Sequence, residues 1–287
     1  MNIGFIGAGK VGFTLGRYIS NHNENTSINV VGYYSQHTDD AREAATFTQT
    51  RYFEQLSDLI AASDTLFLTV PDSVIAQVWN DVKYYPIENK NICHCSGALS
   101  SAIFTDIQRC GAYGYSVHPL YAVHDKYQSF HAFSDVYFTV EGSNAHINQI
   151  TTLLDFLGNP VRIISAEHKA LYHAASVMVS NLVVALAKTG SDLFSQCGFD
   201  APFAEKAWNA LFLGNAENIC QSGVINALTG PLERGDTATI SQHLACLNDA
   251  EREIYICLSQ ALIGVAKQKN PDRDYSLIDA ALKEAKK

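Results

Sequence analysis

Positive charge is scarce in this chain. Among its 287 residues there are 20 lysines and arginines against 29 aspartates and glutamates, so the formal net charge is −9. Proteins that bind nucleic acid or an anionic membrane surface usually present a basic patch. We therefore expect no nucleic acid and no membrane among the partners of this protein.

The cysteines lack the spacing of a metal or redox motif. There are seven of them, an odd number, and no two form a Cys-x-x-Cys pair. This pattern is typical of reduced thiols. His94 stands between Cys93 and Cys95, but alternate residues of a strand face opposite sides, so these three side chains cannot converge on one ion. No metal site is predicted.

Targeting and membrane-spanning patterns are missing as well. The start, "MNIGFIGAGK", lacks the charged and apolar regions of a signal peptide. We see no run of about 18 apolar residues of the kind that spans a bilayer. These observations predict a cytoplasmic protein, and a hydrophobic content of 47% allows a sizeable core.

The first half alternates short apolar runs with helical stretches. "TLFLTV" (65–70) is continuously apolar, as expected of a strand buried on both faces. Alternation of this kind predicts an α/β Rossmann-like domain with a doubly wound, mostly parallel sheet over residues 1–165. The other predicted strands are "IGFIG", "INVVGYY", "NICHCS", "GYSVHP", "VYFTVEG" and "PVRIIS".

Residues 166–287 are helical in character and predict an all-α C-terminal domain. One helix of some 30 residues is predicted over 166–198, and a second over 201–223 with Pro202 in its first turn. Further helices follow, one of which Asp236 is predicted to cap. We expect this domain to bind substrate and to form a homodimer.

A glycine loop follows the first predicted strand and opens a helix. Gly7-x-Gly9-x-x-Gly12 in this context is typical of a dinucleotide site, because the glycines allow a tight turn and close approach of the pyrophosphate. The helix N-terminus then offers free N–H groups to the phosphates. The predicted cofactor-binding residues here are Gly7, Ala8, Gly9, Lys10, Val11 and Gly12.

No acidic residue stands at the end of the second predicted strand, where an NAD site usually places one. Ser35, Gln36 and His37 occupy this position. They tolerate a 2′-phosphate, so NADP is favoured as the cofactor, with NAD possible. The alternative for His37 is a plain residue at the entry of a helix, which Thr38 is predicted to cap.

Ligands in such sheets bind beyond the carboxyl ends of the strands, and three motifs fall there. Val70, Pro71 and Asp72 are predicted to line the cofactor, although Asp72 could instead cap a helix beginning near Ser73. Ser96 and Gly97 would let substrate approach closely, while Ser100 or Ser101 could cap a helix. His118 could donate a proton to substrate or be fixed by packing beside Pro119.

The long predicted helix carries a polar stripe. Lys169, His173, Ser176 and Ser180 lie close to one another at helical spacing, and Asn181 flanks them. A stripe of this kind is either a solvated face or the wall of a site, and its apolar surroundings favour the wall. Lys169, near the helix start, is the member expected to be most solvated.

Together these residues resemble a bacterial family of largely uncharacterised NADP-linked oxidoreductases, with a Rossmann-like domain and a helical C-terminal domain of unknown function. The chain is more distantly similar to pyrroline-5-carboxylate reductase and to the 6-phosphogluconate and β-hydroxyacid dehydrogenases. The matching stretches span about residues 3–236 and are "IGFIGAGKVG", "FLTVPDSVI", "CSGALSS", "HPLYAV", "YHAASVMVSN" and "ALTGPLERGD".

The resemblance implies a cleft between two domains and transfer of hydride between NADP and a small keto acid, hydroxy acid or imine. His118 and His173 are the candidate proton donors, with Lys169 and Asn181 as further catalytic candidates. Substrate contacts are expected from Ser96, Gly97, Ser180, Thr229, Gly230 and Arg234. Two alternatives stay open: a dinucleotide-binding sensor or scaffold without chemistry, and pyrroline-5-carboxylate reductase itself.

Overall fold

Eight strands form one sheet in the N-terminal part of the molecule. The structure is a computed structural model that describes residues 1–22 and 27–286. The sheet order is β3-β2-β1-β4-β5-β6-β7-β8, and every pairing is parallel except β6 with β7. The strands are β1 (Asn2–Ile6), β2 (Asn29–Tyr34), β3 (Arg51–Tyr52), β4 (Thr65–Leu68), β5 (Asn91–His94), β6 (Tyr113–Pro119), β7 (Phe138–Gly142) and β8 (Val161–Ile163).

The strand order places a switch point at the centre of the sheet. The chain runs outward from β1 through β2 to β3, then returns to the other side of β1 with β4 and continues outward to β8. The connections therefore leave β1 and β4 in opposite directions, which opens a crevice at their carboxyl ends. The predicted doubly wound, mostly parallel sheet is confirmed.

Apolar side chains cover both faces of this sheet. On one face, Phe5 of β1 stacks between Tyr33 of β2 and Phe67 of β4, with ring centroids 5.0 and 5.6 Å away. On the other, Trp79 is buried against Phe104 and donates its indole N–H to the carbonyl of Thr105. Each large side chain buried in this way contributes roughly 1.5–3 kcal/mol.

Helices connect the strands and then form the C-terminal part of the chain. Short 3-10 turns lie among them at residues 101–103, 107–110, 129–135 and 166–168. The helices are α1 (Lys10–Ser20), α2 (Thr38–Thr48), α3 (Leu56–Ala62), α4 (Asp72–Val82), α5 (Ile147–Phe156), α6 (Lys169–Met178), α7 (Asn181–Gln196), α8 (Ala201–Ala227), α9 (Pro231–Arg234), α10 (Thr237–Cys246), α11 (Asp249–Lys269) and α12 (Ser276–Glu284).

The chain divides into two compact units, residues 1–182 and 183–287. The second has its own core, in which Ile240, Ile256 and Tyr275 are nearly inaccessible to solvent. α11 begins with a capping box, because Asn248 and Glu251 each accept the other's backbone N–H. The domain boundary after residue 165 stays a prediction; in the structure, α6 belongs to the first unit.

The single helix predicted over 166–198 is wrong in one respect, because it breaks in two. α6 ends at Met178 and α7 begins at Asn181. Val179 has φ −92° and ψ 2°, outside the helical range. The Ser180 hydroxyl donates to the carbonyl of Ser176, a local bond that competes with helix continuation. The next helix, predicted to end at residue 223, is interrupted there, because Gly223 has φ 78° and ψ 160°. Helical structure then continues to Ala227.

The same segment bears on the expectation of no membrane span. Within the described residues, Ala166–Gln196 is long and apolar enough to cross a membrane by length and composition, with a mean hydropathy of 1.6. Length and composition do not separate such a segment from a helix that packs in a soluble protein. The expectation that no segment is long and apolar enough to span a membrane is therefore wrong.

Two predicted helix caps also differ from the structure. Thr38 is the first residue of α2, and His37 precedes it as the N-cap residue without a side-chain hydrogen bond. Ser100 precedes the 3-10 turn that starts at Ser101, again without a side-chain cap. Both hydroxyls were predicted from composition alone, and cap geometry depends on the backbone angles that the turn adopts.

Candidate active site

The glycine loop forms a narrow cradle between β1 and α1. Gly7 has φ 96°, a conformation that glycine adopts without strain. A Cβ atom on Gly7 would lie 2.6 Å from Val70 Cγ1, and one on Gly12 would lie 2.6 Å from Thr69 Oγ1. Thr69 in turn donates its hydroxyl to the Gly7 carbonyl at 2.7 Å. Thr69 and Val70, which follow β4, therefore pack tightly against the loop and fix its shape.

A cavity of about 520 Å³ adjoins this cradle, within the size range of cofactor sites. It lies at the carboxyl ends of β1, β2 and β4, where the switch point predicts a ligand. The predicted cofactor residues that line it are Gly7, Ala8, Gly9, Ser35, Gln36, His37, Val70 and Pro71. The loop and the cavity thus fit a dinucleotide. Lys10, Val11 and Gly12 form the first turn of α1 beside it.

The outer end of the cavity carries both favourable and unfavourable groups for a 2′-phosphate. Ser35, Gln36 and His37 supply hydroxyl, amide and imidazole groups. The carboxylates of Asp40 and Asp81 line the same cavity and would repel a phosphate. Sequence reasoning considered only the end of β2 and missed Asp81, which arrives on α4.

Asp72 does not cap α4, which corrects one of its two predicted roles. It is the first residue of α4, and Pro71 is the N-cap residue. Its carboxylate accepts a 2.6 Å hydrogen bond from the hydroxyl of Ser96. The same Ser96 oxygen accepts the backbone N–H groups of Ala98 and Leu99 at 3.2 and 3.0 Å. Ser96 is therefore the fixed point of the loop that follows β5.

His94 and Glu141 form further hydrogen bonds to the same loop. His94 Nδ1 accepts the backbone N–H of Ser96, and its Nε2 lies 3.3 Å from the Ser100 carbonyl. Burial lowers the pKa of His94 to about 4, so the ring is neutral. The buried carboxylate of Glu141 accepts the N–H and hydroxyl of Ser101. Fixed at both ends, the loop presents Gly97 as a rigid platform.

Lys169 lies in the interior, so the expectation that it is the most solvated member of the stripe is wrong. Its side chain is 2% exposed. The ammonium donates to the Ser96 carbonyl at 2.9 Å and to the Ser116 hydroxyl at 2.7 Å. Burial lowers its pKa to about 8, against the opposing attraction of Glu141 and Asp72.

Two histidines converge above Gly97. A Cβ atom placed on Gly97 would lie 2.8 Å from His118 Nε2 and 2.7 Å from His173 Nδ1. His118 Nδ1 is 2.7 Å from the hydroxyl of Tyr172, whereas His173 Nδ1 is buried without a hydrogen-bond partner in the described residues. Burial, and then the charge of Lys169, lower the pKa of His118 to about 3.

Two family profiles match the chain. Residues 2–92 match "NADP oxidoreductase coenzyme F420-dependent", and residues 136–262 match "Domain of unknown function (DUF2520)". The chain carries both of these domains. The resemblance inferred from the sequence motifs is thereby confirmed, as is NADP as the type of cofactor. No curated protein matches the chain.

Solved structures resemble the chain over most of its length. Protein TM1727 from Thermotoga maritima is 26% identical, with 95% of this chain and 100% of that chain covered and a TM-score of 0.69. A candidate NADP oxidoreductase of Bacteroides fragilis, BF3122, is 20% identical over 92% and 98%, with a TM-score of 0.71. Pyrroline carboxylate reductase of Plasmodium falciparum, solved with NADP bound, is 14% identical over 100% and 97%, with a TM-score of 0.56. The latter two likenesses concern the fold.

The remaining predicted residues of this oxidoreductase lie apart from the histidines in the chain. Ser180 and Asn181 stand at the break after α6, where both are exposed and the Ser180 hydroxyl reaches Asn181 Oδ1. Thr229, Gly230 and Arg234 belong to the second compact unit. Their roles in binding substrate stay predictions.

Sequence reasoning missed the polar groups that support the site. Tyr172 was not among the predicted site residues, although it contacts His118. Ser116 lies within β6 and Glu141 near the end of β7, and neither was among the predicted site residues. A buried carboxylate in a strand is unusual in itself, and this signal could have identified Glu141.

Among the described residues, no group of three or more histidine, cysteine, aspartate or glutamate side chains is arranged to hold a metal ion.

Proposed function

We propose that this protein is an NADP-dependent oxidoreductase that transfers a hydride between nicotinamide and a small ketone or imine, such as a keto acid or a cyclic imine. The observation that carries the proposal is the pair of histidine nitrogens above Gly97. Gly97 follows β5 and His118 lies near the carboxyl end of β6, whereas His173 lies on α6. β5 and β6 continue the sheet beyond β4.

The chain's own residues supply position and hydrogen bonding. When bound, the nicotinamide of NADP donates or accepts the hydride. Ser96, held by Asp72, fixes the backbone on which a substrate would lie. His118 is neutral at physiological pH, because its pKa is about 3, and offers a ring nitrogen to the reacting atom. His173 Nδ1 provides a second polar group that a substrate could satisfy.

The test is NADPH oxidation with a panel of small keto acids and cyclic imines, followed by His118→Ala and His173→Ala on any substrate found. Loss of a preorganised hydrogen-bond donor at the reacting atom typically costs 10²–10³-fold, so we expect kcat to fall by about that factor. His124→Ala is the matched control, because His124 is an exposed histidine of the same unit. No turnover on any substrate would contradict the proposal.

Two rival functions give different results in the same assay. A dinucleotide-binding sensor would bind NADPH but turn nothing over. If a substrate is found and both histidine variants keep full turnover, the catalytic assignment of the histidines is wrong. Pyrroline-5-carboxylate reductase would act on that one cyclic imine and not on the keto acids.

NADP recognition is proposed to involve His37 at the outer end of the cavity. His37→Ala should raise the Kd for NADPH and leave the Kd for NADH nearly unchanged, because only NADPH carries the 2′-phosphate. Isothermal titration calorimetry measures both. An equal effect on the two cofactors would make His37 a structural residue, and tighter binding of NADH by the wild type would favour NAD.

Arg234 is proposed to bind a carboxylate of the substrate. The residues next to it have structural contacts. The Glu233 carboxylate accepts hydrogen bonds from the side chains of Asn270 and Arg273, and Asp236 caps α10. Arg234 is exposed; its backbone N–H donates to the Gly230 carbonyl at 3.1 Å, and no hydrogen bond of its side chain is found among the described residues. Arg234→Ala should raise the substrate KM and leave NADPH affinity unchanged. If Arg234→Ala weakens the binding of substrate and of NADPH equally, the loop that contains Arg234 has a structural role instead.

A homodimer formed through the helical unit belongs to the same proposal. Large apolar side chains are exposed along α7 and α8, including Val184, Leu186, Leu211 and Leu213. Monomeric soluble proteins rarely expose contiguous apolar patches of this kind. Light scattering on the purified protein should give twice the chain mass, and Leu211→Lys should weaken the dimer. A monomer at micromolar concentration would contradict it. A cytoplasmic location also stays a prediction.

A further inference from the structure

We propose that Tyr172 is a positioning residue that fixes the tautomer of His118. Its hydroxyl donates to His118 Nδ1 and so keeps the ring proton on Nε2, the nitrogen that lies against Gly97. The inference rests on the proposed function, since it assigns how one residue of that site is prepared for a substrate. It also goes further, because it states which atom type the site accepts.

The two nitrogens of His118 face different surroundings. Nδ1 lies 2.7 Å from the Tyr172 hydroxyl, and the two rings meet edge to face with centroids 5.5 Å apart. Nε2 is the atom that a Cβ on Gly97 would meet at 2.8 Å. Tyr172 therefore touches the nitrogen that cannot reach a substrate above Gly97. In this proposal, Tyr172 affects the substrate through its hydrogen bond to His118.

The direction of the hydrogen bond follows from the phenol. Burial raises the pKa of Tyr172, so the hydroxyl keeps its proton. The well-formed hydrogen bond of this hydroxyl among the described residues is the one to His118, and the Ser176 hydroxyl, which donates to the Tyr172 carbonyl at 3.0 Å, also lies near it. The Thr139 hydroxyl, on the strand paired with that of His118, lies against the phenol without the geometry of a full hydrogen bond. Nδ1 is thus the acceptor that satisfies the phenol proton.

The charge of the surroundings keeps His118 neutral. Its pKa is lowered by burial first, then by Lys169, His173 and His94. The ammonium of Lys169 lies 5.6 Å from the Tyr172 ring centroid, on the same side of the site. A neutral imidazole has one protonated nitrogen and one acceptor. If Nδ1 accepts from Tyr172, then Nε2 carries the proton.

This tautomer restricts the substrate. A protonated Nε2 offers a donor, so the reacting atom above Gly97 must be an acceptor, such as a carbonyl oxygen or an unprotonated imine nitrogen. An already protonated iminium would place two donors face to face and leave both unsatisfied. His173 Nδ1, unpartnered and 2.7 Å from the same point, then contacts a second polar atom of the substrate.

The test is nitrogen-15 NMR of the full-length protein labelled at histidine, with two-bond proton–nitrogen correlations that distinguish protonated from unprotonated ring nitrogens. Comparison with His118→Gln assigns the His118 signals among the 10 histidines. We expect a protonated Nε2 and an unprotonated Nδ1 from pH 5 to 8. A protonated Nδ1 in the wild type would overturn the proposal, even if the variants below fail to fold.

Tyr172→Phe removes the phenol hydroxyl and should leave His118 as a mixture of tautomers. The control is Tyr255→Phe, because Tyr255 makes the same kind of contact with His243 Nδ1, at 2.9 Å, in the second unit. That variant should change the His243 signals and leave those of His118 unchanged. An unchanged His118 spectrum in Tyr172→Phe would overturn the proposal.

Kinetics separate this proposal from the proposed function. With a substrate in hand, Tyr172→Phe should lower kcat roughly tenfold, the value of one hydrogen bond, and leave the KM for NADPH unchanged. An equal loss in both parameters would show a merely structural tyrosine. If the wild type turns over no substrate, the proposed function fails, and the NMR result still decides the tautomer.

Discussion

Lys169 provides the sharpest physical prediction, because it is a buried charge whose cost can be calculated. The unfolded chain has a lysine pKa of 10.5, and in the folded state burial lowers the pKa of Lys169 to about 8. Between these pH values the unfolded chain binds more protons than the folded one, so stability rises with pH. Below pH 8 the full cost applies, about 3 kcal/mol at 1.36 kcal/mol for each pH unit of difference.

The perturbation is Lys169→Met, which keeps most of the side-chain volume and removes the charge. The free energy of unfolding of the variant, relative to that of the wild type, should fall by about 2 kcal/mol between pH 7 and pH 9.5. Only in the wild type does the cost of burying a charged Lys169 decrease over that range. The Ser96 carbonyl keeps a donor in the variant, since Ser116 also reaches it at 3.1 Å. The difference between the two proteins removes the contribution of the titrating groups that do not interact with Lys169.

The assay is urea unfolding at several pH values in a Trp208→Phe background. The chain has two tryptophans, so Trp79, buried in the first unit, then reports alone. Lys83→Met is the control, because it removes an ammonium that is hydrogen-bonded to Asn80 outside the site. A stability difference between Lys169→Met and wild type that stays constant from pH 7 to 9.5 would refute the reasoning.

Three further predictions concern the cradle, the loop and the cap. Gly12→Ala places a Cβ atom 2.6 Å from Thr69 Oγ1 and should raise the Kd for NADPH roughly tenfold or more by calorimetry, whereas Gly214→Ala, with nothing within 4 Å, should leave it unchanged. Ser96→Ala removes the 2.6 Å bond to the Asp72 carboxylate and should cost about 1–3 kcal/mol in chemical denaturation. Asp236→Ala removes the cap of α10 and should cost about 1 kcal/mol; no measurable loss would show that the cap is dispensable.

The first half of the fold was predictable from local pattern. The strands from β4 to β6 are short segments with Pro, Ser or Gly at or shortly after their ends, and the glycine loop fixes the start of α1. The short edge strand β3 was missed, because two residues leave no period to detect. The break between α6 and α7 was missed for a different reason: Val179 and Ser180 are compatible with a helix in sequence.

The candidate site was predictable in its members but not in their roles. His118 and His173 were chosen from strand-end position and helical spacing, and the structure brings them together above Gly97. Lys169 was expected in solvent because lysine usually lies there. Only the fold shows that its ammonium reaches the interior and donates to Ser96 and Ser116.

The sequence alone determined the features that depend on neighbours in the chain: the alternation of strands and helices, the dinucleotide loop, and the cap at Asp236. These follow from backbone preference and hydrophobic period, which act over a few residues. The tertiary structure alone decided the features that depend on distant pairs. The bond between His118 and Tyr172 joins residues 54 positions apart, and that between Lys169 and Ser96 joins residues 73 apart. Burial and pKa arise from such encounters, which no local pattern encodes.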